Sequence, residues 1–268
     1  TGDLTLIAPG GVDQVGIVTV GGKLDIQAPS DSVLLSNPLN SLPTIALVAD
    51  HAEIATKGAV TLLPTTVRDF TLTAGGAVSQ LGALTSDSAD ISAFSPITGP
   101  ASITLNDPTN RLRSLSAMGG TIIVQDTSYL ALGLVHASNL NITIPGDLYQ
   151  TALLSVDGKL AINARDISLT NNDNVITGDI TLNANSAAIT NGTNTSLANV
   201  QLLQDLTLNA TGTITQSGAL NIGGNSSFTG TDITLNNAAN VFTGTVAFTG
   251  ANVAITDSTA LGLAASSA

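Results

Sequence analysis

Apolar and polar side chains alternate in short runs along the whole chain, and Gly, Asn or Asp interrupts each run. Residues 205–268 show the pattern most regularly, with runs such as Leu206-Thr-Leu208 and Ala219-Leu-Asn-Ile222. Alternation with a period of two predicts strands that bury one face. No stretch of helical length places apolar residues at i, i+3, i+4 and i+7, so we predict an all-β fold.

A ten-residue pattern, [VI]-x-L-x-[ND]-x-x-N-x-[LIF], occurs four times, at 33–42, 103–112, 167–176 and 233–242. A second motif, [DN]-[LF]-x-[LI], begins at Asp3, Asp69, Asn139 and Asp205. Both motifs recur every 64–70 residues, and a long fixed period indicates a repeat architecture. We therefore predict a single β-helix segment over 1–268, with units at about 3–68, 69–138, 139–204 and 205–268.

Short strands separated by turns and repeated in register predict a parallel β-helix, or β-solenoid. A unit divides into three rungs of roughly 22 residues, a common coil length in solenoids, so four three-rung repeats give about twelve rungs. The apolar residues of the ten-residue pattern should then point inward in aligned columns. These residues are Val33, Leu35, Ile103, Leu105, Ile167, Leu169, Ile233 and Leu235.

The Asn and Asp positions of the same pattern predict the corners of the coil. The corner residues are Asn37, Asn40, Asp107, Asn110, Asn171, Asn174, Asn237 and Asn240. Asn and Asp tolerate left-handed backbone conformations and bond to nearby backbone, which replaces hydrogen bonds that a sharp corner loses. The second Asn of each copy should occupy an equivalent corner and bond to backbone. The irregular, proline-bearing segments 62–68 and 86–100 are predicted to be loops.

Composition restricts the chemistry. Hydrophobic residues make up 43% of the chain but aromatic residues only 3%, so the core must consist of small and branched aliphatic side chains. The net charge of −12 repels phosphate backbones, and we expect no nucleic-acid partner. No apolar run is long enough to predict membrane insertion. The absence of Cys excludes disulfides and Cys-based metal sites.

Candidate catalytic or metal-binding groups are few. His51 lies beside Asp50 and Glu53, and His136 is the other histidine. The closest loose acidic pair is Asp87-Ser-Ala-Asp90. Hydrolysis of polysaccharides requires two carboxylates flanking the bond, whereas Asn171-Asn-Asp173 occupies a repeated corner. We predict a protein that is not an enzyme, with no catalytic residues, no cofactor and no metal.

The phrases LTLNATGTITQSGAL at 206–220 and NVFTGTV at 240–246 resemble the repeat regions of filamentous-haemagglutinin-like exoproteins. Those are very large bacterial surface proteins, exported by two-partner secretion, whose right-handed parallel β-helix shafts act in adhesion. The family's amino-terminal secretion domain, with its Asn-Pro-rich signature, is not recognisable here. The resemblance is therefore to the shaft.

The resemblance implies a structural shaft segment of a secreted virulence adhesin on the bacterial cell surface. The partners it implies are an outer-membrane secretion protein and a cell-surface protein or glycan receptor. Two other interpretations stay open. One is a β-helix lyase or hydrolase that acts on polysaccharides, and the other is an extracellular filament that self-associates end to end through open strand edges.

Overall fold

The computed structural model describes residues 2–268, and over that range the chain is an all-β parallel solenoid. The predicted fold class is thus confirmed. No helix that could cross a membrane occurs among the described residues. The chain separates into two compact units, the first ending at Ser138 and the second covering Asn139–Ala268. Their division falls at the predicted boundary between the second and third repeats.

The first unit contains long strands that run through corners of the coil, as well as short ones. Its strands are β1 (Leu4–Ile7), β2 (Val12–Asp13), β3 (Lys23–Leu35), β4 (Thr44–Thr56), β5 (Val60–Ala74), β6 (Val78–Gln80), β7 (Leu84–Ser86), β8 (Ser88–Ser95), β9 (Gly99–Pro100), β10 (Ile103–Leu105), β11 (Arg111–Leu112) and β12 (Ser114–Gln125). Strand β13 (Leu130–Thr143) contains the division between the units.

The second unit is built from shorter strands, three to a turn. They are β14 (Leu148–Gln150), β15 (Leu154–Val156), β16 (Leu160–Asn163), β17 (Asp166–Leu169), β18 (Val175–Ile176), β19 (Asp179–Ala184), β20 (Ser186–Asn191), β21 (Thr195–Leu202), β22 (Leu206–Ala210), β23 (Ile214–Gln216), β24 (Leu220–Ile222), β25 (Ser226–Thr229), β26 (Asp232–Leu235), β27 (Val241–Phe242), β28 (Thr245–Thr249), β29 (Asn252–Ile255) and β30 (Gly262–Leu263). Strand β16 pairs in parallel with β19, three strands later.

The length of one turn follows from the strand register. Leu140 pairs with Leu160, and Leu160 pairs with Ile180, so one turn takes about 20 residues. The chain therefore makes about 14 turns. The predicted number of twelve is too low, because each turn is shorter than the sequence period suggested.

The sequence repeat is longer than three turns, and within each compact unit the second copy therefore starts one strand further around the coil than the first. Leu206 is the equivalent of Leu140 in the next copy of the [DN]-[LF]-x-[LI] motif, but it does not join the same ladder. The ladder of Leu140 is Leu140–Leu160–Ile180–Leu197, and the ladder of Leu206 is Leu148–Ile167–Ala187–Leu206. In the first unit Phe70 likewise joins the ladder of Val12, Val33 and Ala52, whereas Leu4 pairs with Leu24 and Ile45.

The core consists of the inward residues that alternation predicts. All eight apolar residues of the ten-residue pattern are buried, with at most 3% of any side chain exposed. They do not form one set of aligned columns, however. Within the second unit Ile167 pairs with Leu148 and Ala187, whereas Ile233 pairs with Ile214 and Val253. The inward orientation is confirmed, and the common register is corrected.

The two segments predicted to be loops are mostly strand. Residues 62–68 lie within β5, where the pairing register with β4 shifts as the chain passes Pro64. Most of 86–100 belongs to β8 and to the short antiparallel pair β8–β9, in which Phe94 faces Pro100. The antiparallel pair and the turn between its strands lie outside the parallel ladders, and at that turn Ile97 is 91% exposed. A proline at a register shift is thus tolerated without a loop.

Candidate functional site

The second Asn of the ten-residue pattern forms the most conspicuous polar site in each of the four repeats. Asn40, Asn110, Asn174 and Asn240 are all fully buried. In the third copy, Asn174 Oδ1 accepts the Leu154 N–H at 3.1 Å, and Nδ2 donates to Leu169 O at 3.2 Å and Thr190 O at 3.1 Å. These backbone groups belong to the turn before, the same turn and the turn after. One side chain therefore joins three successive turns.

Each buried Asn also pairs with a Gln side chain one turn earlier, and sequence analysis missed these glutamines. Asn174 Nδ2 donates to Gln150 Oε1, and Gln150 Nε2 donates to Asn174 Oδ1, both at 2.8 Å. The same reciprocal pairs are Gln14–Asn40, Gln80–Asn110 and Gln216–Asn240. Each Gln Nε2 also donates to the carbonyl two residues later in the chain. We call each amide pair an Asn–Gln clamp.

The sequence does contain a signal for the glutamines. They recur in the phrases VDQVG, VSQLG, LYQTA and ITQSG, at Gln14, Gln80, Gln150 and Gln216. Their spacings are the same as those of the [DN]-[LF]-x-[LI] motif. The distance from Gln to its Asn varies between 24 and 30 residues, so the pair does not appear as one motif.

The first polar position of each corner forms a turn that leads into the clamp. Asn171 Oδ1 accepts the Asp173 N–H at 2.9 Å, and Asn37, Asp107 and Asn237 accept from the residue two positions on in the same way. No non-glycine residue within 2–268 has a positive φ. The expected left-handed conformation is therefore wrong; the corner depends on side-chain hydrogen bonds instead.

A further acceptor, buried in the first three copies and half-buried in the fourth, lies one turn beyond each clamp and binds the backbone just after the corner. Asp126 Oδ2 accepts the Leu112 N–H at 2.5 Å, and Asn191 Oδ1 accepts the Ile176 N–H at 2.9 Å. Thr56 and Asp257 bind Leu42 and Phe242 in the other two copies. Burial raises the pKa of Asp126, and its hydrogen bonds from Leu112 and Ser128 oppose that rise.

The raised pKa of Asp126 predicts a pH-dependent stability. The folded state then holds the proton of Asp126 more tightly than the unfolded state, so this residue's contribution to stability falls as pH rises above its ordinary pKa. We expect the free energy of unfolding of Asp126→Asn, relative to the native chain, to increase between pH 3 and pH 7. Urea unfolding at several pH values measures it. The reciprocal control Asn191→Asp should lose stability over the same range; equal slopes for all three chains would contradict the prediction.

The [DN]-[LF]-x-[LI] motif also has a structural role, because in three of its four copies the first side chain binds the next turn; in the other copy Asp69 forms an ion pair with Arg68. Asp3 Oδ1 accepts the Lys23 N–H at 2.7 Å, Asn139 accepts that of Lys159 at 2.9 Å, and Asp205 accepts that of Asn225 at 2.7 Å. Each bond spans 20 residues, which is one turn. The repeated polar residues therefore connect neighbouring turns.

The residues considered for catalysis or metal binding do not converge. Asp50 forms two hydrogen bonds with Arg68, and Asp87 forms an ion pair with Arg113 at 3.1 Å. Asp90 is exposed on β8, and His51 pairs in register with Asp69. His136 is an exposed residue of β13. No group of three or more His, Cys, Asp or Glu residues suited to a metal ion occurs within 2–268.

A shallow groove of about 540 Å³ follows one outer face of the second unit. Tyr149, Ser168, Ala188 and Thr207 succeed one another along its floor, in register on β14, β17, β20 and β22. Its acidic margin is formed by Asp147, Asp166 and Asp205. Each of these carboxylates already has a partner: Arg165, Ser186 Oγ and the Asn225 N–H, respectively. The groove is polar, but its three carboxylates form hydrogen bonds within the coil.

The first unit carries a cavity of about 400 Å³ with a different character. It is lined by Thr85, Asp87, Arg111, Arg113, Thr127, Ser128 and Tyr129. Two arginines and one aspartate give it a positive charge, in a chain whose net charge is −12.

A family model for repeats of unknown function (DUF5649) matches the chain four times, at residues 1–49, 49–117, 119–183 and 184–249. The last three copies begin about one turn before the predicted units, so the period agrees and only the phase differs. Searches of curated proteins and of solved structures found no match. Because the four copies cover most of its length, the chain belongs to the DUF5649 family, repeats of unknown function.

Proposed function

We propose that this chain is a structural shaft segment of a secreted adhesin on the bacterial cell surface. The observation that carries the proposal is the Asn–Gln clamp, which recurs in all four copies and joins successive turns through the side chain of a fully buried Asn. Buried amides whose bonds are all made hold one arrangement of the backbone, since any shift leaves polar groups unpaired. The function is then to keep the coil ordered while it carries an adhesive surface.

The acidic groove favours a structural role over the rival polysaccharide-acting enzyme. Hydrolysis of a glycosidic bond needs one carboxyl group as acid and a second carboxylate as base or nucleophile, both free to act. In the groove Asp147 accepts from Arg165 Nε at 2.7 Å, and Asp166 accepts from Ser186 Oγ at 2.6 Å. These bonds engage the carboxylates in the coil itself.

The resemblance to filamentous-haemagglutinin-like proteins supports the remaining parts of the proposal. On that resemblance the partners are an outer-membrane secretion protein and a protein or glycan receptor on another cell. The alternative to the adhesin shaft is an extracellular filament, in which copies of the chain associate end to end.

A shaft should resist pulling and give way in steps. We expect the chain, stretched from its two ends in a single-molecule force experiment, to release multiples of one turn. About 20 residues give about 65–70 Å of contour per turn. Asn174→Ala should lower the force of the steps, because it removes a clamp. Smooth extension at low force would contradict the proposed shaft function. Release of oligosaccharides from a panel of polysaccharides would favour the enzyme instead.

A further inference from the structure

The cavity of the first unit is lined by two arginines from the same strand region. Arg111 and Arg113 flank Leu112, whose side chain is fully buried, so strand alternation directs both arginines outward. Thr85 lies beside Arg111 in the neighbouring strand, and Tyr129 lines the same cavity. The volume of about 400 Å³ lies within the range of about 300–1,000 Å³ that small ligands occupy.

The backbone under the two arginines is held in place by the corner. Asn110, the residue before Arg111, is fully buried and bonds to Gln80 and to the Gln125 carbonyl. The Leu112 N–H is bound by Asp126. Because these bonds fix the chain on both sides of Arg111, a ligand does not have to order it, and preorganisation of this kind favours binding.

The charges of the cavity are unevenly satisfied. Arg113 Nε lies 3.1 Å from Asp87 Oδ1, whereas Arg111 forms no ion pair or side-chain hydrogen bond with any residue in 2–268. A guanidinium group recognises a carboxylate through two parallel hydrogen bonds. Arg111 therefore provides a site for a carboxylate, while Asp87 presents oxygens that accept hydrogen bonds from hydroxyl groups.

An aromatic ring and further hydroxyl groups complete the lining. Tyr129 is 43% exposed, and its ring offers a flat apolar surface. Thr85, Thr127 and Ser128 provide hydroxyl groups around it. A ligand that matches these features has a carboxylate, several hydroxyl groups and an apolar ring face. A uronic-acid residue has all three, whereas an acidic peptide side chain lacks the hydroxyl groups.

We propose that this cavity binds a uronic-acid unit of an acidic polysaccharide. The sugar carboxylate pairs with Arg111, its hydroxyl groups donate to Asp87, and its C–H face lies on Tyr129. The inference does not depend on the shaft function, since it concerns one surface of the first unit.

Titration calorimetry of the full chain with the tetrasaccharide of β-1,4-mannuronic acid tests the proposal. We expect binding that weakens at least tenfold in Arg111→Gln and less in Arg111→Lys, which keeps the charge but not the paired hydrogen bonds. The control Arg165→Gln alters an arginine of the second unit and should bind within twofold of the native chain. β-1,4-mannotetraose, the matched neutral sugar, should bind at least tenfold more weakly.

Four results would overturn the proposal. They are no binding of the mannuronate tetrasaccharide, equal binding of mannotetraose, unchanged affinity in Arg111→Gln, and tighter binding of a tetraglutamate peptide than of the sugar. Circular dichroism melting of Arg111→Gln checks the fold. If Arg111→Gln has a lower melting temperature than the native chain, the affinities of Arg111→Lys and Tyr129→Ala are measured instead. Unchanged affinity in both of these variants also overturns the proposal.

Discussion

Replacing Asn174 by Ala is expected to lower the free energy of unfolding by roughly 3–5 kcal/mol, a large effect for a single substitution. The change removes all five hydrogen bonds of the side chain. The Leu154 N–H, the Leu169 carbonyl and the Gln150 amide each lose the Asn174 side chain as a hydrogen-bond partner. A buried polar group that loses its partner costs about 1–3 kcal/mol, and several lose one here. Urea unfolding of the native and variant chains measures the difference.

Asn171→Ala is the matched control, three residues earlier on the same corner. Its side chain accepts one local hydrogen bond from the Asp173 N–H, and we expect a cost of about 1 kcal/mol or less. Gln150→Ala should fall between the two, and the Gln150/Asn174 double variant should cost less than the sum of the single ones because the residues share bonds. A cost below about 1 kcal/mol for Asn174→Ala would show that the coil does not depend on its clamps.

Phe228→Ala should lower the free energy of unfolding by about 3–5 kcal/mol as well, for a different reason. The ring is fully buried and packs edge-to-face on Phe242, with 6.2 Å between the ring centroids. It also lies in register between Leu208 and Phe248, so its removal leaves a cavity between three turns. A narrow coil with paired strands on all sides has little freedom to collapse into such a cavity.

Phe94→Ala is the control for this substitution, because its ring is 56% exposed beside the antiparallel turn of the first unit. We expect a change within about 0.5 kcal/mol. Thermal unfolding of both variants measures the contrast. Similar melting temperatures for Phe228→Ala and Phe94→Ala would mean that the core of the second unit relaxes around the missing ring.

Sequence reasoning identified the strands and the corners because each depends on neighbours along the chain. Alternation around Ile167 and Leu169 determines which side chains face inward, and Asn171 bonds within its own turn. The partner of Asn174 depends instead on the length of a turn. Gln150 is 24 residues away and Gln80 is 30 residues from Asn110, so no fixed spacing marks the pair.

The surface sites were harder to predict from the sequence, because their residues also come together only through the length of a turn. Tyr129 and Arg111 share a cavity only because the intervening chain completes a turn of the coil. Nothing in the local sequence around either residue indicates the other. Pro64 is a local signal that predicted a loop where none forms. The chain passes this proline within β5, by a register shift between β4 and β5.

The advance of each repeat by three turns and one strand affects how such a chain can lengthen in evolution. Duplication of one repeat preserves every local bond, because the copy meets the same neighbours as the original. It nevertheless places the added copy a third of a revolution further around the coil than the copy before it, so an exposed side chain of the repeat faces a new direction in the added copy. Three added repeats, or ten turns, return the chain to its first orientation. Gain or loss of single repeats would therefore redirect whatever surface lies beyond them, while each remaining turn keeps its contacts with the turns before and after it.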